Sequence, residues 1–123
     1  MARSQFKSKR SVSGRKYSDL RKKRACDMAG IPSLTQIGKN KLKVKRVRGN
    51  NIKKQLLRSE SVSVNIDGKV EKLNIITVEN NPANIHYTRR SIITKGAVVK
   101  TEKGSVRITS RPGQSGSLFG VLI

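Results

Sequence analysis

The charge of this chain is divided too unevenly for the whole of it to collapse into one core. Residues 1–58 hold 19 lysines and arginines against two acids, Asp19 and Asp27, a net of +17. Residues 59–123 hold nine against five, a net of +4. A compact state with that density of like charge repels itself unless a polyanion neutralises it. The anion that absorbs so much charge over such a length is a nucleic acid backbone. Folding is left mostly to the second half, and a core of that size buries only roughly 60% of the surface its unfolded chain exposes.

Residues 1–29 are rich in Ser, Arg and Lys, with Phe6, Val12, Tyr17 and Leu20 as isolated apolar residues. Such a segment cannot build a core and is expected to be disordered until it binds. Residues 19–29 can form a short helix, stopped by Gly30 and Pro32. From Leu42 the period changes. Lys41-Leu-Lys-Val-Lys45 alternates strictly, which predicts a half-buried strand with Leu42 and Val44 on one face and three lysines on the other. The alternation slips at Arg46-Val47, marking a bulge or the strand's end. Arg48-Gly49-Asn50-Asn51 reads as a turn, and residues 52–58 are ambiguous between strand and helical turn.

In the second half, Val62, Val64 and Ile66 alternate up to Asp67-Gly68, a hairpin signal. A two-residue loop would oppose Lys69, Glu71 and Leu73 to those apolar residues. A slightly longer loop that brings Val70 onto the apolar face is therefore expected. The next strand runs through Leu73, Ile75, Ile76 and Val78 with a phase slip, and Asn80-Asn-Pro-Ala-Asn84 breaks it. Residues 97–101 and 105–109 flank Glu102-Lys103-Gly104. A three-residue loop there would set Val98 opposite Ile108 and Lys100 opposite Val106. Arg111-Pro-Gly-Gln114 has the centre of a type II turn, and residues 118–123 read as an apolar closing strand. The pattern predicts an all-β fold: a small antiparallel β-barrel of about six strands with a long basic, extended N-terminal arm. The arm is assigned to residues 1–38 and the body to 39–123.

Catalytic chemistry finds no foothold. One cysteine and one histidine make neither an internal disulfide nor a four-ligand zinc site. His86 has no neighbouring acid to orient it for base catalysis, and Cys26 has no second element of a nucleophilic site. Gly113-Gln-Ser-Gly116 lacks the spacing and lysine of a phosphate-binding loop. No apolar run approaches the ~20 residues of a membrane span. The expectation is a protein that is no enzyme, takes no cofactor and no metal, meets no membrane and forms no homo-oligomer. Only four aromatics are present, Phe6, Tyr17, Tyr87 and Phe119, too few for a base-stacking platform. Shape and backbone of RNA are the expected target, with histone-like DNA binding left open by charge alone.

Several segments occur in a telling order: Arg15-Lys16, Leu20-Arg-Lys-Lys-Arg24, Thr35-Gln-Ile-Gly38, Val44-Lys-Arg-Val-Arg-Gly-Asn50, Asn81-Pro-Ala-Asn84, Ile92-Ile-Thr-Lys-Gly-Ala97 and Thr109-Ser-Arg-Pro-Gly-Gln114. In these the chain resembles the eukaryotic/archaeal-type small-subunit ribosomal protein eight family, in its short archaeal form. The resemblance covers nearly the whole chain and departs locally at Gly49-Asn-Asn51, where Gly-Gly-Asn is the family pattern. It implies a β-barrel body with a basic N-terminal extension, buried in small-subunit rRNA beside neighbouring ribosomal proteins. The insertion of longer eukaryotic members is missing, which points to an archaeal-type ribosome in the cytoplasm. A related branch acts in large-subunit biogenesis, but its members are considerably longer.

The expected rRNA contacts fall in three groups. The arm supplies Arg3, Lys7, Lys9, Arg10, Arg15, Lys16, Arg21, Lys22, Lys23 and Arg24. The cationic strand and turn supply Lys39, Lys41, Lys43, Lys45, Arg46, Arg48, Lys53, Lys54 and Arg58. Arg89, Arg90 and Arg111 form a further contact on the barrel. The rival role is a biogenesis or RNA-chaperone factor that binds precursor rRNA transiently. An RNA-processing enzyme would need clustered acids or histidines that the sequence lacks.

Overall fold

A computed structural model describes residues 9–18, 21, 22 and 24–123 of the chain. Its contacts divide into two compact units, Met1–Pro32 and Ser33–Ile123. In the first, residues 9–17 make a tight reversal in which the Ser11 N–H donates to the Arg15 carbonyl at 2.9 Å and the Gly14 N–H to the Ser11 carbonyl at 3.0 Å. Of the expected helix over 19–29, Asp19, Leu20 and Lys23 lie outside the described residues, and a single 3-10 turn spans Ala25–Asp27.

The second unit is all-β, as its alternating patterns require. It begins with strand β1 (Thr35–Ile37), β2 (Lys41–Arg46), β3 (Ile52–Ser59), β4 (Ser61–Ile66) and β5 (Lys69–Asn80). A short helix α1 (Ile85–Arg89) leads to β6 (Ile92–Ile93), β7 (Val98–Thr101) and β8 (Gly104–Ile108). Helix α2 (Pro112–Ser115) then precedes β9 (Phe119–Leu122). Strands β4-β5-β7-β8-β9 form a closed barrel. Its neighbours are antiparallel except at the seam, where β9 runs parallel to β4 with Phe119 opposite Ser63 and Gly120 opposite Val64. The remaining strands form a sheet in the order β2-β3-β1-β6. Val62, Val64, Leu73, Ile75, Val78, Val99, Val106 and Ile108 fill the core, joined by Leu56 and Ile93 from the sheet and Leu118 from before β9.

Closure depends on Gly120. A Cβ there would stand 2.4 Å from Val106 Cγ1 and 3.0 Å from the Arg107 carbonyl oxygen. No side chain fits where β9 passes between β8 and β4. The phase slip in β5 is real: register shifts lie between Ile75 and Thr77 and between Val78 and Asn80, so Ile75 and Val78 both face inward while Ile76 is exposed. The break after β5 is built on Asn81, 3% exposed. Its amide donates to the Ile92 carbonyl at 2.9 Å, and its Oδ1 accepts from Thr94 Oγ1 at 2.8 Å and from the Ala83 N–H at 3.1 Å.

Three expected turns differ. The Asp67-Gly68 loop has two residues, with Ile66 opposite Lys69 and Val70 left 71% exposed. Asp67 and Gly68 both take positive φ (49° and 81°), a geometry whose twist matches the flanking strands; this outweighs the exposure of one valine. The Glu102-Lys103 loop also has two residues, with Thr101 opposite Gly104. Val99 therefore meets Val106, both fully buried, and Val98 meets Arg107 outside. Pro112-Gly113 opens a helix instead of a type II turn. Pro sits comfortably in a first helical turn, and Gly116, at φ 75°, supplies the left-handed stop.

Candidate nucleic-acid interface

The ambiguous residues 52–58 are strand, because β3 finds partners on both sides: β2 antiparallel and β1 parallel. The turn between β2 and β3 runs through Arg48–Asn50, with Gly49 at φ 73° and Asn50 at φ 60°, left-handed angles that Gly and Asn tolerate best. The register then fixes the two faces of the ribbon. Lys43 lies opposite Gln55 and Lys45 opposite Lys53 on one face. Leu42 lies opposite Leu56, Val44 opposite Lys54 and Arg46 opposite Ile52 on the other.

Only the root of this ribbon is covered. β1 reaches no further along β3 than Arg58 and Ser59, so residues 41–46 and 51–54 are all exposed. The half-buried β2 expected from its alternation is thereby corrected: Leu42 is 43% exposed and Val44 56%. At the root, α2 packs on β3. A Cβ on Gly116 would stand 2.8 Å from Lys54 Cβ and 3.2 Å from Leu42 Cδ1, so the contact needs glycine for its space as well as its angle.

The electrostatics of ribbon and barrel are opposite in kind. None of the nine cations in residues 39–58 makes a side-chain hydrogen bond or ion pair among the described residues. Lys45 and Lys53 stand directly across from each other, where Cβ atoms approach to about 4.5–5.5 Å and like charges destabilise the pair. Three of the barrel's acids, by contrast, are engaged. Lys103 pairs with Glu71, Asn74 donates to Glu102 at 2.9 Å, and Ser105 donates to Glu79 at 2.9 Å.

The other expected contact residues are scattered. Arg3, Lys7 and Lys23 lie outside the described residues. Lys9, Arg10, Arg15 and Lys16 surround the tight reversal of the first unit, where Arg10 bridges across to Lys16 and donates to the Gly14 carbonyl at 2.9 Å. Arg21 is paired with Asp27 at 2.8 Å, while Lys22 and Arg24 are exposed. The Arg21 hydrogen bond, helped by the Arg24 backbone N–H, holds the Asp27 carboxyl below its usual 3.8. Lys39 is exposed in the bend between β1 and β2. Arg89 and Arg90, exposed at the end of α1, lead into β6 at the sheet edge opposite β2. Three strand spacings, about 14 Å, separate those edges. Arg111 is exposed at the N-cap of α2. His86 lies on the surface in α1. Two exposed or half-exposed polar residues fall outside the expected contacts: Gln55, which joins the lysine face, and Arg107, exposed on β8 between buried Val106 and Ile108. The alternation of Val106 and Ile108 already points Arg107 outward.

A closed barrel carrying an exposed ribbon whose cations find no partner among the described residues defines a class of small, strongly basic all-β proteins. Within it the assignment is specific: the chain belongs to the ribosomal protein S8e family, whose model matches residues 4–123. It is similar to the small ribosomal subunit protein eS8 of Nanoarchaeum equitans, 46% identical over 97% of this chain and 95% of that protein. The eS8 proteins of Methanosphaerula palustris (43%, covering 97% of both chains) and Methanobrevibacter smithii (41%, covering all of both) are similar throughout as well. The family is one of structural ribosomal proteins and not of enzymes, so the chain's role is structural, in the ribosome.

Proposed function

We propose that this chain binds and stabilises the rRNA of the small subunit, with the β2–β3 ribbon as its principal phosphate contact. The observation that carries this is the set of nine cations in residues 39–58 with no partner among the described residues, two of them set directly against each other. Lysine and arginine placed on phosphates release counterions, a gain that outweighs their mutual repulsion in the free protein. Arg89, Arg90 and Arg111 add contacts from the sheet's far edge and from α2. Residues 1–32 act as a basic arm that orders along RNA, while β1, inside the expected arm of residues 1–38, belongs to the sheet. The cytoplasmic ribosome is the site of action, with neighbouring small-subunit proteins as further partners.

Sedimentation of cell extracts tests the assignment. A structural component co-migrates with mature small subunits at one copy per particle and withstands moderate salt washing. Presence on precursor particles alone would overturn it in favour of a transient biogenesis factor.

A further inference from the structure

We infer that the β2–β3 ribbon is wedged between two separate backbone segments of the rRNA, a phosphate track on one face and the sugar edge of a minor groove on the other. The inference rests on the RNA-binding role proposed above and adds how many RNA segments the ribbon meets. Side chains stand roughly perpendicular to a sheet and alternate between its sides. Lys43, Lys45 and Lys53 therefore project from one face, Arg46 and Lys54 from the other. One RNA backbone cannot reach both sets. A strand lying on the lysine face alone would leave Arg46 and Lys54 facing solvent, with Val44 and Ile52 still 56% and 62% exposed beside them.

The two faces also differ in chemistry, which distinguishes their partners. Within the paired residues 43–46 and 52–55 the first carries three lysines and Gln55, a surface suited to phosphates. The second alternates cation and aliphatic: Val44 beside Lys54, Ile52 beside Arg46. A-form RNA has a wide, shallow minor groove that displays riboses and base edges between its phosphates. Val44 and Ile52 pack on the riboses there, while Arg46 and Lys54 reach the flanking phosphates. A covering protein would instead have to neutralise both of these cations. Val44 and Ile52 stay open to a second partner among the described residues, and α2 meets this face nearer the root, where Gly116 lies against Leu42 and the Lys54 stem.

The test uses the full chain with exposed Cys26 replaced by Ser and a photo-crosslinker attached to K45C or, separately, to V44C. Each is bound to transcribed small-subunit rRNA, and crosslinks are mapped by primer extension, with circular dichroism confirming the β fold. The expected result is one crosslink cluster from each position, in two segments that are not paired with each other. Both positions crosslinking one segment would overturn the wedge and leave RNA binding standing. So would RNA crosslinks from K45C alone, the result if a protein covers the second face. Crosslinks from neither would overturn the RNA-binding role of the ribbon itself. In parallel, R46Q/K54Q should lower the slope of log K against log salt by roughly 1.4–1.8; an unchanged slope also sinks the wedge.

Discussion

Replacing Lys43, Lys45 and Lys53 by Gln should weaken RNA binding and stabilise the free protein at the same time. Each phosphate contact contributes roughly 0.7–0.9 to the slope of log K against log salt, depending on strand character. Losing three lowers the slope by about 2–2.7, so between 50 and 200 mM salt the variant's affinity falls roughly 20- to 40-fold less than the parent's. The exposed Lys45–Lys53 pair disappears, together with its repulsion. That relief is worth a few tenths of a kcal/mol once solvent screening is allowed for. Gln retains the aliphatic stem and the strand's hydrogen bonds, so the ribbon itself persists. Filter binding to transcribed small-subunit rRNA at several salt concentrations gives the slope, and urea unfolding gives the stability. An unchanged slope would refute the phosphate role. A variant that both binds poorly and unfolds more easily would show that the lysines matter for the fold and not for RNA.

Gly120→Ala forces a methyl into Val106 and the Arg107 carbonyl, which should cost about 1–3 kcal/mol and lower Tm by several degrees; an unchanged melting curve would mean the seam can open to admit it. Removing residues 1–24 should flatten the salt dependence of rRNA binding, and an unaltered slope would mean the arm makes no phosphate contact. The Arg21–Asp27 pair stabilises its turn fully above the ordinary carboxyl value of 3.8, and its contribution is lost as pH falls through the depressed value. Carbon-13 shifts of the Asp27 carboxyl should therefore titrate below 3.8, and R21Q should bring the midpoint back up; identical midpoints in both would contradict the pairing.

The barrel was readable wherever apolar residues alternate against polar ones, as in Val62-Ser-Val-Asn-Ile66 and Ser105-Val-Arg-Ile-Thr109. Burial on one face is a local property of the sequence, and even the slip near Ile75-Ile76 was visible as a change of phase. Turn length was less legible. Asp67-Gly68 makes a two-residue loop because the twist of its positive-φ pair outranks the side-chain pairings that predict a longer one, and Glu102-Lys103 makes one that sets buried Val99 against buried Val106. The ribbon's cations were legible one strand at a time. That Lys53 faces Lys45 was not, since residues 52–58 become a strand only through partners at both edges. Nor did the alternation of β2 reveal its exposure. Leu42 and Val44 have the spacing of a buried face, but the three-residue β1 ends too soon to extend the sheet beside them.

The same geometry explains why the ribbon is attached to a closed barrel. A free basic tail loses conformational entropy when it is laid along RNA, whereas a presented ribbon has met that loss during folding. Its root is tied to the barrel twice. Leu56 enters the core, and α2 rests Gly116 on Lys54 and Leu42. Helix α2 is itself clasped between β8 and β9 by Ser110, whose hydroxyl donates to the Ser117 carbonyl at 3.1 Å and accepts from the Phe119 N–H at 3.0 Å. Strand β9 then closes the barrel at Gly120. Loosening that seam should therefore disorder the ribbon without touching a single lysine. A closed barrel holds Lys45 against Lys53 in the free protein, a repulsion that a phosphate track would relieve on binding.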